Sequence, residues 1–247
     1  MSSSSSQRRQ IVVQLQAELR RYENAKRPAG AARASTGCRE LDRLFPEAGI
    51  ARGTLIEWLA EGAGCGALWL ALAAARQACQ EHGPLVLIDG RGTFYPPAAV
   101  RAGLDPQRLI VVRAPAAGDE NWALDQTLRS EGVGAVLCVT DRLKPRAARR
   151  LQLAAESSGG VGFLVRPLSV RAEPCWSEVR LLVEPRAGGG SGRGRRLTVE
   201  VLKTRGAVAG DLARPKRLEL EVDDETGVVR AVAQLASPTT SRRRFGA

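Results

Sequence analysis

The chain has 247 residues, of which 44% are hydrophobic, 26% charged and only 4% aromatic. That is enough apolar material for one large packed domain with appendages, and too few aromatic rings for a fold that reads single-stranded nucleic acid by stacking. Thirty-seven basic against 26 acidic side chains leave a net charge of +11, and a single histidine, His82, excludes any mechanism that needs two imidazoles.

A serine-rich leader opens the chain, and Ile11, Leu15, Leu19 and Tyr22 then recur at helical spacing through about Asn24. The segment Lys26–Ala34, with Pro28 and Gly30, breaks that pattern and reads as a linker, so residues 1–34 form an N-terminal arm. From Ser35 the chain alternates. A short helix over 38–45 precedes a strand over 54–59, a glycine-rich loop over 62–66 and an apolar helix over 67–81. Strands over 85–89, 109–112, 135–139 and 161–165 follow, separated by helices near 98–102, 120–130 and 146–157. Continuous apolar strands, each followed by a helix, predict a parallel sheet buried on both faces. After Pro174 the strands over 178–183, 197–202, 218–222 and 228–234 come without helices and read as antiparallel, with Asp223-Asp224-Glu225-Thr226-Gly227 as a hairpin turn. The expected domain runs over 35–236, and 237–247 is a basic, disordered tail ending in Arg242, Arg243 and Arg244.

The charge excess lies at the ends. Residues 34–185 balance 17 basic against 17 acidic groups, whereas 1–33 hold seven and two, and 186–247 hold thirteen and seven. Such ends suit weak contact with a polyanion. The longest uncharged stretch, 62–75, is too short to span a bilayer, so a cytoplasmic location is expected. Cys38, Cys65, Cys79, Cys138 and Cys175 are odd in number, have no Cys-x-x-Cys pair, and read as buried thiols with no zinc site. Trp58, Trp69 and Trp122 are expected in the core or in helix packing.

A strand, a glycine-rich turn and an apolar helix form the setting in which backbone amides and a helix N-terminus converge on phosphate. The residues do not follow. A working loop reads Gly-x-x-x-x-Gly-Lys-Ser/Thr, and the corresponding positions are Glu61, Gly66, Ala67 and Leu68. The lysine that meets the terminal phosphates and the hydroxyl that binds magnesium are missing, and Glu61 adds a negative charge. Gly62, Gly64 and Gly66 still permit the turn, so geometry without chemistry is expected: a degenerate phosphate loop, no catalytic residue, no metal, and no cofactor, with ATP-Mg the alternative.

The succession "STGCRELDRLF", "GTLIEWLAEGAGCGAL", "PLVLIDGRGTFYPPA", "GLDPQRLIVVRAP", "ALDQTLRSEGVGAVL", "RRLQLAAE", "EVRLLVEP" and "LTVEVLKTRG" resembles the RecA superfamily, and within it the ImuA family of damage-inducible mutagenesis accessory proteins. The Phe94-Tyr95-Pro96-Pro97 turn and the Arg149-Arg150-Leu151-Gln152-Leu153 helix are its most family-specific pieces. The resemblance implies a RecA-like, mostly parallel α/β sheet with flanking helices, antiparallel C-terminal strands and an N-terminal helical arm. Arg91 stands where the recombinase has a water-activating glutamate, Thr140 where a strand-ending aspartate belongs, with Asp141 one step late. Lys203 and Arg205 match a cationic pair at the recombinase subunit interface; a solvated sheet face explains them equally well. Arg242–Arg244 read as an electrostatic hook or as a solubilising tail.

Function follows from the same resemblance. It implies a non-hydrolysing adaptor in error-prone translesion DNA synthesis, with an ImuB-like polymerase subunit, a DnaE-type error-prone polymerase and RecA as partners and with weak, non-specific DNA contact. A RecA- or KaiC-like ATPase with an atypical site and a SulA-like division inhibitor are the rivals.

Overall fold

Two-sided burial builds the sheet at the centre of the computed structural model, which describes residues 33–80, 82–114, 116–187, 194–205 and 216–232. Six strands run parallel: β3 (Thr54–Ala60), β4 (Leu85–Asp89), β5 (Leu109–Arg113), β6 (Ala135–Val139), β7 (Val161–Pro167) and β8 (Val179–Arg186). Three more, β9 (Gly194–Thr204), β10 (Arg217–Asp223) and β11 (Val229–Ala231), extend the sheet antiparallel, giving the order β11-β10-β9-β8-β3-β7-β6-β4-β5. A separate ribbon pairs β1 (Arg33–Ala34) with β2 (Ile50–Ala51), so the segment read as a linker already carries pairing at its last two residues.

The α/β class, the parallel body and the antiparallel C-terminal strands agree with expectation. One strand differs. β8 was expected among the antiparallel strands and instead lies parallel to β3, with Ile56 opposite Val179 and Trp58 opposite Leu181. Its run Val179–Val183 is buried throughout, which suits a place inside the sheet, where both faces are covered.

Alternation along each strand divides the core. Ile56, Trp58, Leu87, Leu137, Phe163 and Leu181 point to one face, covered by α2 (Ala67–Cys79) and α3 (Pro96–Arg101), with α1 (Arg39–Asp42) at the margin. Leu55, Val86, Ile88, Val136, Cys138 and Leu164 point to the other, covered by α4 (Ala117–Arg129) and α5 (Pro145–Ser158). α2 is alanine-rich where it meets the sheet: Ala71, Ala74, Ala75 and Ala78 are fully buried, which brings helix and strands close.

Trp58 is fully buried and Trp69 packs against the core, but Trp122 is 64% exposed on the outer side of α4, against the expectation of a core residue. The positions around it decide this. Ala123, Leu124 and Leu128 already fill the buried side of α4, and Trp122 falls outside that stripe. Cys38, Cys65, Cys79 and Cys138 are buried and Cys175 is half-buried, all as free thiols. Burial pushes the Cys79 thiol up to about 11. Among the described residues no helix is long and apolar enough to cross a membrane, and no group of His, Cys, Asp or Glu is arranged to hold a metal ion. Of the N-terminal arm expected over 1–34, residues 1–32 lie outside the described residues, as does the basic tail expected over 237–247.

Candidate functional site

The loop between β3 and α2 joins the end of a strand to a helix N-terminus, the connection in which a phosphate loop sits. Glu61, Gly62 and Gly64 are exposed, and Gly66, at φ 93°, passes the chain into α2. The space beside it is filled by protein. A Cβ on Gly66 would stand 2.5 Å from Leu197 Cδ1 of β9, so this glycine admits a leucine side chain from the antiparallel extension. Ala67, where the loop's lysine would be, is 1% exposed and part of the core, and Leu68 packs against the same core. Around the first turn of α2 the covering continues. The Arg195 guanidinium lies over the Trp69 ring at 5.4 Å and pairs with Asp224 at 3.1 Å. The β10–β11 turn comes close to Trp69 at Gly227, where a Cβ would stand 3.1 Å from the ring and whose amide donates to Asp223 O. These positions do not fit a magnesium nucleotide: the cation and hydroxyl places hold aliphatic carbon, and one flank of the loop is occupied by Leu197.

The ends of β4 and β6 hold the other expected positions. Asp89 is spent on the backbone, accepting from the N–H groups of Thr93 and Phe94 and so fixing the turn that leads to Tyr95. Arg91 and Asp141, both about half exposed, pair at 3.2 Å. Thr140 is buried and its N–H donates to Val165 O. The Cys138 thiol, raised well above its ordinary value first by burial and then by the neighbouring Glu120 carboxylate, stays protonated there.

A buried polar cluster escaped the sequence reading. On the face covered by α4 and α5, Glu57 of β3, Arg166 of β7 and Arg180 of β8 form a buried ionic cluster, each 3% exposed or less. Glu57 Oε1 accepts from Arg166 Nη1 at 2.9 Å, and Oε2 accepts from Arg180 Nε at 2.5 Å and from the Cys175 thiol at 3.0 Å. Arg166 Nη2 reaches Glu173 at 2.9 Å, and Arg180 Nη1 donates to the carbonyls of Arg171 and Glu173, each at 2.9 Å. Burial alone would raise the Glu57 carboxyl; hydrogen bonds from Arg180 and Cys175, the Arg180 charge and the bond from Arg166 outweigh it and hold the group below its ordinary value. A signal existed. Each of these three residues interrupts an apolar strand at a position whose neighbours are buried, and a charge there needs a counter-charge.

The cluster fastens residues 168–178 to the sheet, and two further cations help. Lys203 Nζ donates to Cys175 O, and Arg149 of α5 lies over the Trp176 ring at 4.8 Å. Arg205 donates to Glu156 at 3.0 Å. The pair Lys203 and Arg205, expected at an interface or on a solvated face, thus engages the same chain and is half-buried. Gln152, within the Arg149–Leu153 stretch of α5, is fully buried: its Oε1 accepts from Leu55 N–H, and its Nε2 donates to Gly53 O and to Glu156. Arg242–Arg244 lie outside the described residues.

The architecture defines a class: an α/β protein with a mostly parallel sheet, in which a strand, a glycine-rich loop and a helix follow one another with Ala67 and Leu68 at the start of the helix. The family described as the MT3502 N-terminal domain matches residues 43–167, half of the chain, and the chain belongs to that family. The match runs through β3, the loop, α2 and on to the end of β7, and leaves out β8 to β11. Among curated proteins the chain is similar to Protein ImuA of Caulobacter vibrioides, from two strains, at 33% identity in each case over 95 residues. The matched segment covers 38% of this chain and 39% of either relative, so the similarity spans well under half of those proteins. The resemblance to the ImuA family read from the motifs agrees with this similarity.

Proposed function

We propose that this chain is a non-hydrolysing, RecA-like accessory protein of damage-inducible, error-prone translesion DNA synthesis, acting as an adaptor for a polymerase complex. The observation that carries the reading is Leu197 against Gly66. Where a working loop leaves a glycine open so that phosphate can approach the backbone, this one is packed by a side chain of its own sheet. Ala67 and Leu68 add core contacts at the two positions that would meet phosphate and magnesium. The unit then serves packing, and what it offers to others is surface. By similarity to Protein ImuA, the partners are an ImuB-like polymerase subunit, a DnaE-type error-prone polymerase and RecA. DNA contact is weak, non-specific and confined to the charged ends, Arg242, Arg243 and Arg244 included.

Two measurements test the reading. Calorimetric titration with ATP and magnesium should show no saturable binding, and micromolar, magnesium-dependent affinity would overturn the non-hydrolysing half. Co-expression with an ImuB-like subunit should yield a complex that survives gel filtration. Two separately eluting proteins would overturn the adaptor half.

A further inference from the structure

Residues 168–178 lack helix or strand beyond a single turn of 3-10 helix, yet four cations from four elements hold them in place: Arg166 of β7, Arg180 of β8, Lys203 of β9 and Arg149 of α5. A connection fixed this firmly presents its exposed side chains in one arrangement, and the largest of them is Trp176, 40% exposed. Its ring has Arg149 on one face. One turn further along α5 from Arg149 stands Leu153, 45% exposed on the outer side of the helix, and one turn before it stands Arg146, also exposed.

Charge on this face is one-sided. Arg142, Lys144, Arg146 and Arg171 are exposed and have no ion-pair partner among the described residues. The nearby acidic groups are engaged: Asp141 with Arg91, Glu173 with Arg166, Glu156 with Arg205, and Asp125 with Arg129 and Arg150. The balanced count over the middle of the sequence therefore conceals a local excess of positive charge around two exposed apolar side chains.

We propose that the face formed by α5 and residues 168–178 docks an acidic protein segment carrying an apolar anchor side chain. Trp176 and Leu153 would bury the anchor, and Arg142, Lys144, Arg146 and Arg171 would ring it with complementary charge. An ordered tryptophan beside arginine is the composition of energetic centres in protein interfaces, and ordering paid for in the free protein leaves less to lose on binding. Leu153 decides between macromolecules. An exposed aliphatic side chain one helical turn from the arginine that stacks on Trp176 suits a peptide side chain and offers nothing to a sugar-phosphate backbone. The proposal deepens the adaptor reading and rests on it.

The test uses the full chain, a short fluorescein-labelled peptide of Glu, Asp, Leu and Phe, the same peptide with Leu and Phe replaced by Ser, and labelled oligo(dT), all followed by anisotropy. The apolar acidic peptide should bind with salt-dependent affinity, and the Ser version about tenfold more weakly. Trp176→Ala and Leu153→Ala should each weaken the first peptide by about tenfold or more while both variants keep the parent's circular dichroism and a single cooperative melt, and Trp122→Ala, on α4, should bind as the parent does. Equal binding by Trp176→Ala and Leu153→Ala would overturn the proposal. So would tighter binding of oligo(dT) that is lost in Trp176→Ala, which would make this a nucleic-acid surface. Failure of the peptide alongside an intact complex with the ImuB-like subunit sinks the docking face alone; loss of that complex with peptide binding retained sinks only the named partner.

Discussion

Leu197 of β9 occupies the space that a side chain at Gly66 would need, with Cδ1 2.5 Å from the ideal Cβ position. Gly66→Ala combines left-handed strain with overpacking, and is expected to destabilise the fold by about 2–4 kcal/mol in urea unfolding. Leu197→Ala should relieve the overpacking, so the two substitutions together should cost less than their sum by about 1 kcal/mol or more. Strict additivity would mean that the two side chains do not meet.

Restoring the loop's lysine and hydroxyl should fail on packing grounds. Ala67→Lys places an ammonium in a position that is 1% exposed, and Leu68→Thr removes core contacts, so the double variant should lose several kcal/mol of stability. It should release no phosphate from ATP above the parent's background. A stable double variant with magnesium-dependent turnover would contradict this account of the loop.

The Glu57 cluster has a pH signature. Because the folded carboxyl lies below its ordinary value of 4.5, its contribution is complete above that value and is lost as pH falls through the lowered folded value. Glu57→Gln leaves Arg166 and Arg180 buried with less compensation and should cost about 3–5 kcal/mol at neutral pH. Urea unfolding from neutral pH into the acid range should show the parent approaching Glu57→Gln only below about pH 4.5. A gap that stays constant into acid would show that the charge of Glu57 does not matter.

Gln152 closes two backbone groups at the start of β3, Leu55 N–H and Gly53 O. Gln152→Leu keeps much of the volume and leaves both unsatisfied, at a cost of about 1–3 kcal/mol for each. Faster hydrogen exchange at the Leu55 amide, measured by NMR, is the local readout; unchanged protection there would assign the bond elsewhere.

Raised thiols predict slow chemistry. At pH 8 iodoacetamide should leave Cys79 unmodified in the native protein and modify it readily in urea, because burial lifts its thiol to about 11 and shields it. Rapid native labelling at Cys79, read by mass spectrometry of the digest, would mean that α2 opens at its C-terminal end.

Periodicity and punctuation carried most of the secondary structure. Leu85–Asp89 and Ala135–Val139 appear as strands at the residues expected, because an apolar run between a helix end and a turn has few other ways to bury both of its faces. Equally legible was that Ala67 and Leu68 stand where a working loop has its cation and hydroxyl, whatever surrounds them. Contacts distant along the chain were not legible. That Leu197 would meet Gly66, 131 positions earlier in the chain, depends on β9 joining β8 in a particular register, and register is set by pairing across the whole sheet. The direction of β8 and the gathering of Glu57, Arg166 and Arg180 share that origin, whereas the exposure of Trp122 follows from the apolar stripe of α4 itself. Each strand announces its own burial, but which charges become neighbours is decided only when the strands are ordered, because strands far apart in sequence come to lie side by side.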